Sequence, residues 1–242
     1  MPKILVIGES SKDIFVYCNA LRLAPDLPVP VLQVESNTSN PGMAMNVWRN
    51  IQALGGDSEI LTNQNWEEVT KTRYMHSDSN HMFMRVDSKE VIDPLDFDSI
   101  SLDYDAIVIS DYDKGYMTRE IIQRICENHN LVFIDTKKIL GNWSAKASYV
   151  KINNYEYERS IEYLTPDLQD KIVRTRGGLG CEFRGVHYPV KASEVKDTSG
   201  AGDTFMAALV VKYLEANSIE TAIKFANECA STVVQRRGVS LP

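Results

Sequence analysis

The sequence predicts an α/β protein with a doubly wound, mostly parallel sheet flanked by helices and a small β lid beside it. Three observations point to this fold. Short runs rich in Val and Ile alternate with longer segments of helical periodicity, two strand-like runs fall outside that alternation, and 43% of the 242 residues are hydrophobic. We therefore expect one domain over residues 1–242, with the lid formed by residues from about 14–40 and 70–90.

Five apolar runs are expected to form strands of the main sheet, because runs of this length suit strands that are buried on both faces. They are Lys3–Ile7, Ala106–Ser110, Leu131–Asp135, Tyr149–Ile152 and Lys171–Thr175. The first four end near polar or glycine residues, at Gly8, Asp111, Asp135 and Asn153. Since ligands of open α/β sheets gather beyond the carboxyl ends of the strands, a binding site is expected at this edge.

Four segments have the apolar spacing of helices. They are Met43–Leu54, Thr118–Glu127, Ala201–Leu214 and Ile219–Arg236. Thr118 and Ser218 suit N-caps, because a hydroxyl there can accept a hydrogen bond from an N–H of the first turn. Helices placed between strands provide the crossovers that parallel strands need.

The lid is predicted from two strand-like runs outside this alternation, Val29–Val34 and His81–Val86. Pro28 and Pro30 have no N–H to donate to a neighbouring strand, so the first run is expected at the edge of its sheet.

Composition and charge exclude several classes of protein. The 26 basic and 33 acidic residues give a net charge of −7, which argues against a dedicated nucleic-acid-binding protein. The four cysteines lack metal-ligand spacing, and no apolar run approaches the length of a membrane helix. We expect a cytoplasmic protein that binds neither nucleic acid nor membranes.

The segment that carries chemistry is residues 197–205, which read Asp-Thr-Ser-Gly-Ala-Gly-Asp-Thr-Phe before an apolar helix. The glycines allow close approach of a ligand, and the helix start offers N–H groups and a positive dipole to an anion. Asp203 stands beside that anion site, where it can take a proton from an attacking hydroxyl. A glycine loop that merely starts a helix is the alternative, but the two acidic residues, the two glycines and the helix together favour phosphoryl transfer. The chain has no Walker P-loop, and Gly8-Glu9-Ser10-Ser11 lacks the glycines of a dinucleotide fingerprint.

Four segments resemble the signatures of the ribokinase-like (pfkB) family of carbohydrate kinases. Residues 197–205 are similar to the family's C-terminal signature, and Pro41–Asn46 resembles its Gly-Gly-x-x-x-Asn sugar-binding segment. Asn153–Glu156 matches the Asn-x-x-Glu motif associated with magnesium and phosphate, and Thr175–Gly180 resembles the turn that borders the nucleotide. This resemblance implies a ribokinase-like fold and the cofactors ATP and Mg²⁺, and it allows for a monovalent cation.

Within the family, several short stretches are most similar to heptose 7-phosphate kinases. They are Ala24–Val31, Ser39–Gly42, Thr70–Arg73, Arg85–Asp87, Ser110–Gly115 and Phe225–Asn227. The resemblance implies an ATP-dependent kinase whose partner is a small sugar or sugar phosphate, phosphorylated at the anomeric hydroxyl of a heptose 7-phosphate. Related kinases pair their lids, so a homodimer through Val29–Val34 is expected.

The resemblance also implies roles for individual residues. Catalysis is expected from Asp203 as general base and from the anion hole Gly200, Ala201 and Gly202. Substrate binding is expected from Asp13, Gly42, Asn46, Lys71, Arg73, Arg85, Asp111 and Lys114. ATP binding is expected from Asn153, Thr175, Arg176, Gly178, Gly180, Thr198, Asn227 and Ala230, and Asn153 with Glu156 is expected to hold Mg²⁺ through water.

Structural alternatives to these roles remain open on the residues alone. Asn153 and Glu156 suit a helix-capping pair, and Asp13 suits a turn cap. Asp111 and Lys114 suit a surface turn, and Asn227 and Ala230 suit a packing face. Lys71, Arg73 and Arg85 are either contacts for an anionic substrate or solvated lid charges paired with Asp78 and Asp87.

The chain departs from the family pattern at three places. Met43 stands where the sugar segment has its second glycine, and the stretches Leu61–Thr70 and Glu156–Lys171 are short. Two alternatives therefore stand beside the heptose kinase: another pfkB sugar or nucleoside kinase, for example of ribose or a fructose phosphate, and a catalytically weak sugar- or nucleotide-binding regulatory protein.

Overall fold

The main sheet of the computed structural model has eight strands in the order β12-β11-β10-β9-β8-β7-β1-β4. The structure describes residues 2–79, 81–191, 194–236 and 238–242. The strands are β1 (Lys3–Gly8), β4 (Asp57–Leu61), β7 (Ala106–Asp111), β8 (Val132–Thr136), β9 (Tyr149–Asn153), β10 (Ile172–Thr175), β11 (Cys181–Phe183) and β12 (Val186–Tyr188). From β4 to β10 neighbouring strands are parallel, and β10, β11 and β12 pair antiparallel at one edge. The predicted mostly parallel sheet is confirmed, with each of its five predicted strands within one residue of the expected bounds.

A separate four-stranded sheet forms the lid, in the order β3-β2-β5-β6. Its strands are β2 (Ser10–Leu23), β3 (Pro30–Met43), β5 (Thr70–His76) and β6 (Met82–Asp87). The long β2 pairs antiparallel with β3 and parallel with β5. At the other edge of the sheet, β6 pairs antiparallel with β5. Both strand-like runs outside the alternation are therefore edge strands of one sheet. Strand β3 is longer than the sequence indicated, and the central strands β2 and β5 were not predicted.

In the described part of the chain, six α-helices cover the main sheet. They are α1 (Ala44–Ala53), α2 (Arg119–Asn128), α3 (Asn154–Ser160), α4 (Pro166–Gln169), α5 (Ala201–Ala216) and α6 (Ile219–Val233). Short 3₁₀ turns span Phe97–Ser99, Asn142–Ser144, Ile161–Tyr163 and Gly177–Leu179. The predicted caps are confirmed, since Thr118 accepts from the Ile121 N–H and Ser218 from the Thr221 N–H. The last long helix ends at Val233, three residues before the predicted end at Arg236.

Two apolar layers hold the main sheet between them. Ile4 and Val6 of β1 pack on the side of α1, α5 and α6, whereas Leu5 and Ile7 pack on the side of α2. Alternate side chains of one strand thus enter opposite layers, which is why the strand sequences are continuously apolar. Among the described residues, no helix is long and apolar enough to cross a membrane.

Candidate active site

The start of α5 lies between two cavities at the carboxyl edge of the main sheet. Gly200 precedes the helix with a left-handed φ of 78°, and a Cβ there would lie 2.8 Å from Asn46 Nδ2. A Cβ at Gly202 would lie 3.0 Å from Lys151 Nζ. Glycine therefore lets the turn approach α1 on one side and a lysine ammonium on the other. The N–H groups of the first turn have no partner within the helix, so this turn can receive an anion.

Asp203 sits in the first turn of α5 and is almost fully buried. Asn46 Nδ2 donates to Asp203 Oδ2 at 2.8 Å, and the Tyr112 hydroxyl donates to Asp203 Oδ1 at 2.7 Å. Burial raises the pKa of Asp203 from 3.8 to about 6, while the two donated hydrogen bonds lower it. The carboxylate is therefore ionised at neutral pH but much more basic than an exposed aspartate, which suits a general base.

The larger cavity, about 410 Å³, lies on the α6 side of this turn, and its volume is within the range of small-molecule sites. It is lined by six of the eight predicted ATP-binding residues: Thr175, Gly178, Gly180, Thr198, Asn227 and Ala230. Ala201 and Gly202 of the predicted anion hole also line it. An adjoining opening shares Thr175 and Gly177 with this larger cavity and is lined by the other two predicted residues, Asn153 and Arg176. We name the larger cavity the nucleotide cavity and the adjoining opening the nucleotide opening. The structure thus brings the whole predicted ATP-binding set together.

Asn153 and Glu156 form a capping box at the start of α3. The Asn153 side chain accepts from the Glu156 N–H at 2.9 Å, and Glu156 Oε2 accepts from the Asn153 N–H at 2.8 Å. The buried Glu156 carboxylate also accepts from the Asn153 side chain at 2.9 Å and pairs with Lys137. The capping alternative is therefore what the structure shows for these two residues.

This capping arrangement still fits a role near Mg²⁺. A carboxylate oxygen accepts more than one hydrogen bond, and Mg²⁺ keeps several of its waters and takes few protein ligands. Within the described part of the chain, no three His, Cys, Asp or Glu side chains converge as a metal cage would require. Asn153 and Glu156 thus fit a magnesium ion held through water and phosphate oxygens.

The smaller cavity, about 110 Å³, lies between α5 and the lid. It is lined by Asp13, Met43, Asn46, Lys71, Arg73, Tyr112, Ser199, Gly200, Asp203 and Val239. Four of the eight predicted substrate-binding residues are in this set, and Gly42 adjoins it, because a Cβ at Gly42 would collide with the Asp13 carboxylate. We name it the acceptor cavity.

The lid contributes three charged side chains to the acceptor cavity, those of Asp13, Lys71 and Arg73. Arg73 pairs with Asp13 at 2.8 Å across strands β5 and β2. Lys71 approaches the Met43 sulfur at 2.9 Å, and burial lowers the pKa of this lysine. Met43 stands at the position of the motif's second glycine and has φ 60° and ψ −132°, a conformation that favours glycine, so its backbone is strained. Its side chain lines the cavity and fills part of it.

Besides Gly42, which only adjoins it, three predicted substrate residues do not line the acceptor cavity. Arg85 donates from Nε and Nη2 to the two carboxylate oxygens of Asp87, at 2.9 and 2.8 Å, and its side chain is half exposed on β6. Asp111 is buried against Lys138 at 2.7 Å and Thr136, and Lys114 pairs with Glu90 at 2.7 Å. Each is already held by a neighbouring charge, as expected for structural ion pairs.

Tyr112 and Lys151 are site residues that sequence reasoning missed, and Lys137 joins them, a residue that the sequence indicated only as a cleft or surface-turn residue beside Asp135. Tyr112 contacts Asp203, Lys137 pairs with Glu156, and Lys151 pairs with Asp135 at 2.6 Å beside Gly202. Tyr112 and Lys137 directly follow β7 and β8, and Lys151 lies two residues before the end of β9. A position at the carboxyl edge of the sheet is the signal that could have found them.

Comparison with known proteins identifies the family. The signature of the pfkB family carbohydrate kinases matches residues 98–242. Two curated relatives are each named bifunctional protein HldE: one from Helicobacter pylori is 31% identical, and one from a Nitratiruptor species is 28% identical. The alignments cover 100% and 99% of this chain but only 64% and 63% of the relatives, so the chain spans just under two-thirds of their length.

Solved structures share the fold at low sequence identity. The Methanocaldococcus jannaschii nucleoside kinase of the ribokinase family superposes with a TM-score of 0.74 at 19% identity, covering 99% of this chain and 93% of that one. The Escherichia coli phosphofructokinase-2 in complex with potassium gives 0.75 at 16% identity, covering 100% and 95%. The Arabidopsis thaliana ribokinase complexed with ribose and ATP gives 0.72 at 16%, covering 98% and 94%. The predicted ribokinase-like fold is confirmed.

Proposed function

The chain belongs to the pfkB family of carbohydrate kinases, and from this premise we propose that it transfers the γ-phosphate of ATP to a sugar hydroxyl with Asp203 as general base. The observation that carries the proposal is the position of Asp203. This buried carboxylate has a pKa of about 6 and lines the acceptor cavity. Gly202, one residue earlier in the same helical turn, lines the larger cavity.

The two cavities suggest where each substrate binds. ATP fits the larger one, with its base toward Asn227 and Ala230 and its phosphates toward Gly200–Gly202. A ribokinase bound to ribose and ATP has the same fold, which supports this assignment. The sugar fits the acceptor cavity, where Asp13 and Asn46 offer hydrogen bonds to its hydroxyls.

The chemistry follows from the groups around the turn. Asp203 accepts the proton of the attacking hydroxyl, and the N–H groups at the start of α5 stabilise the negative charge that develops on the transferred phosphoryl group. Lys151, beside Gly202, adds a positive charge there. When bound near Asn153 and Glu156, Mg²⁺ neutralises phosphate charge. Dependence on a monovalent cation stays a prediction.

Replacing the base tests the proposal. Asp203→Asn keeps the shape of the side chain and one acceptor oxygen but removes its charge and basicity, so kcat should fall by about 10²–10⁴ with KM values nearly unchanged. The measurement is ADP release with ATP, Mg²⁺ and a panel of sugars and sugar phosphates. Full activity of Asp203→Asn would show that the assigned role is wrong.

A catalytically weak binding protein is the second candidate, favoured by Met43 in the acceptor cavity. A thermal-shift series with ATP–Mg²⁺ and with the same sugars separates the two. Stabilisation by these ligands without ADP release from any acceptor would support the binding protein and contradict the kinase.

For the acceptor, we propose a heptose 7-phosphate, phosphorylated at its anomeric hydroxyl. The stretches similar to heptose 7-phosphate kinases support this, and so does the likeness to the bifunctional HldE proteins. Lys71 and Arg73 are the second support, because they place two cations in the wall of the cavity in an acidic protein. One guanidinium nitrogen of Arg73 binds Asp13, and its remaining N–H donors can contact a phosphate. Ribose, a fructose phosphate or a nucleoside are the other acceptors of this family to be tested.

A matched pair of variants tests this assignment. Arg73→Ala should lower kcat/KM for heptose 7-phosphate roughly ten- to a hundredfold relative to the unphosphorylated heptose. Arg85→Ala is the control, because Arg85 faces Arg73 across β5 and β6 but is held by Asp87 outside the cavity. Equal use of both sugars by the unaltered protein, or equal effects of the two variants, would contradict phosphate recognition by Arg73.

A further inference from the structure

Tyr112 holds one oxygen of the proposed base. Its hydroxyl donates to Asp203 Oδ1 at 2.7 Å, and Asn46 donates to Asp203 Oδ2 at 2.8 Å. With one donor on each oxygen the carboxylate plane is fixed, yet each oxygen keeps lone-pair capacity for the proton of an acceptor hydroxyl. An ionised carboxylate can only accept, so the tyrosine must be the donor in this pair.

The position of Tyr112 is itself fixed by a buried carboxylate. Tyr112 follows the last residue of β7, and its backbone N–H donates to Glu9 Oε2 at 2.8 Å. The Lys114 N–H donates to the other Glu9 oxygen at 3.0 Å. Glu9 is fully buried and thereby anchors this loop to the end of β1.

Two ammonium groups lie close to the ring of Tyr112. Lys71 Nζ and Lys137 Nζ are each 5.5 Å from the ring centroid. Lys71 belongs to the acceptor cavity, and Lys137 pairs with Glu156 beside the nucleotide opening. Tyr112 therefore contacts a cation from each side of the site as well as the base between them.

We propose that Tyr112 is a positioning residue for Asp203, whose hydroxyl sets the orientation of the carboxylate and stabilises its ionised form. This inference rests on the proposed function, because it concerns the same base. Burial raises the pKa of Tyr112 well above 10, and the charges of Asp203 and Asp135 raise it further, so the hydroxyl keeps its proton over the whole working range of pH.

Other charges face this pair from several elements. Asp135 on β8 is paired with Lys151 on β9, Asp13 on β2 is paired with Arg73 on β5, and Lys71 and Lys137 flank the ring. None of these side chains changes in the variants below, so their effects on Asp203 are common to all the proteins compared.

The test is the pH profile of Tyr112→Phe, measured as ADP release with ATP–Mg²⁺ and heptose 7-phosphate. Loss of a hydrogen bond donated to the carboxylate raises the pKa of Asp203, so the acid limb of kcat/KM should move to higher pH by about one unit. Incorporation of 3-fluorotyrosine at position 112 keeps the shape and makes a stronger donor, so the limb should move to lower pH. Opposite shifts are not expected from a purely structural role.

Tyr104→Phe is the matched control, because the Tyr104 hydroxyl also donates to a carboxylate, Glu59, at 2.7 Å, but at the exposed edge of the main sheet. Its pH profile should be that of the unaltered protein. An acid limb that stays in place in both Tyr112 proteins would overturn the inference, whatever the change in kcat.

A second readout does not need turnover. The pH dependence of thermal unfolding, compared with that of Asp203→Asn, reports the pKa of Asp203 directly. It should show the same upward shift in Tyr112→Phe. If Asp203→Asn retains full activity while this shift is present, the proposed base is wrong but the coupling of Tyr112 to Asp203 stands. If Asp203→Asn is inactive and the shift is absent, only the role of Tyr112 is wrong.

Discussion

Asp203 must be ionised to accept a proton, yet it is buried, and burying a charge is costly. Burial raises its pKa from 3.8 to about 6, so the folded protein binds this proton more tightly than the unfolded chain does. Between about pH 4 and pH 6 the folded state therefore retains a proton that the unfolded state has lost, and stability decreases as pH rises through this window. Above pH 6 the full cost of the buried charge is present.

We expect Asp203→Asn to be more stable than the unaltered protein at pH 8, by up to about 3 kcal/mol, because each unit of pKa corresponds to about 1.4 kcal/mol. The difference should shrink as pH falls and vanish near pH 3, which is below the pKa of Asp203 in both states. Urea unfolding at the two pH values measures it. Asp26→Asn, the same substitution in an exposed bend, is the control for the change of side chain itself. A variant less stable than the unaltered protein at pH 8 would contradict the assigned cost.

The contrast between Asp203 and Tyr112 shows which site residues a sequence can reveal. Asp203 lies in one contiguous segment with Gly200 and Gly202, so its role as a base beside an anion site can be inferred from its neighbours in the sequence. Tyr112 reaches it across 91 residues of sequence, and this contact exists only because β7 ends beside α5 in the folded sheet. The pairing of Arg85 with Asp87 likewise depends on the order of strands in the lid, because Arg85 is paired with Arg73 in register but lies on the edge strand β6, one strand farther from the cavity.

At the scale of single elements, the capping box of α3 serves the helix and faces the nucleotide opening. Asn153→Ala removes the cap, which should lower the free energy of unfolding by about 1 kcal/mol. It should also raise KM for ATP, because Asn153 lines that opening. Chemical unfolding and steady-state kinetics measure the two effects.

The cap of α2 provides the matched comparison. Thr118 accepts from the Ile121 N–H in the same way but lines neither cavity. Thr118→Ala should lose similar stability and keep the KM for ATP. Equal KM values in the two variants would show that Asn153 acts only as a cap.

Elements with a strong apolar pattern were predictable, and polar or very short ones were not. Five of the six parallel strands of the main sheet are apolar on both faces, and each was predicted within one residue of its ends. The sixth, β4, reads Asp-Ser-Glu-Ile-Leu and was not predicted, and neither were the lid strands β2 and β5. Strands β11 and β12 have three residues each, too few to establish a period of two, and they were missed. Helix α4 has a single turn and leaves no pattern either.

At the scale of the whole molecule, the lid exposes large apolar side chains on both edge strands. They are Val29 and Val34 at or beside β3, and Met82, Met84 and Val86 on β6. Exposed edge strands with apolar side chains tend to pair with another chain. We propose a homodimer formed through the lid at Val29–Val34.

Light scattering at micromolar concentration should give the mass of a dimer, and Val34→Lys should shift it toward the monomer. Val186→Lys is the matched control, because Val186 is exposed to the same extent, 54% against 55%, but lies on the edge strand β12 of the main sheet. A monomeric unaltered protein, or equal dissociation by both variants, would contradict a dimer through the lid.

The two cavities draw on separate stretches of the chain. All residues that line the nucleotide cavity lie between 175 and 234, whereas the acceptor cavity takes six of its ten from residues 13–112. The seam between the stretches is the packing of α1 on α5, where Asn46 meets Asp203 and Asn50 meets Thr204 at 2.8 Å. Recombination that exchanges residues 10–112 with those of a relative, and keeps these two asparagines, would therefore transplant the choice of sugar into a chain whose nucleotide machinery is left intact. With the cavities assigned as proposed, the preference for the sugar can change in evolution independently of nucleotide binding.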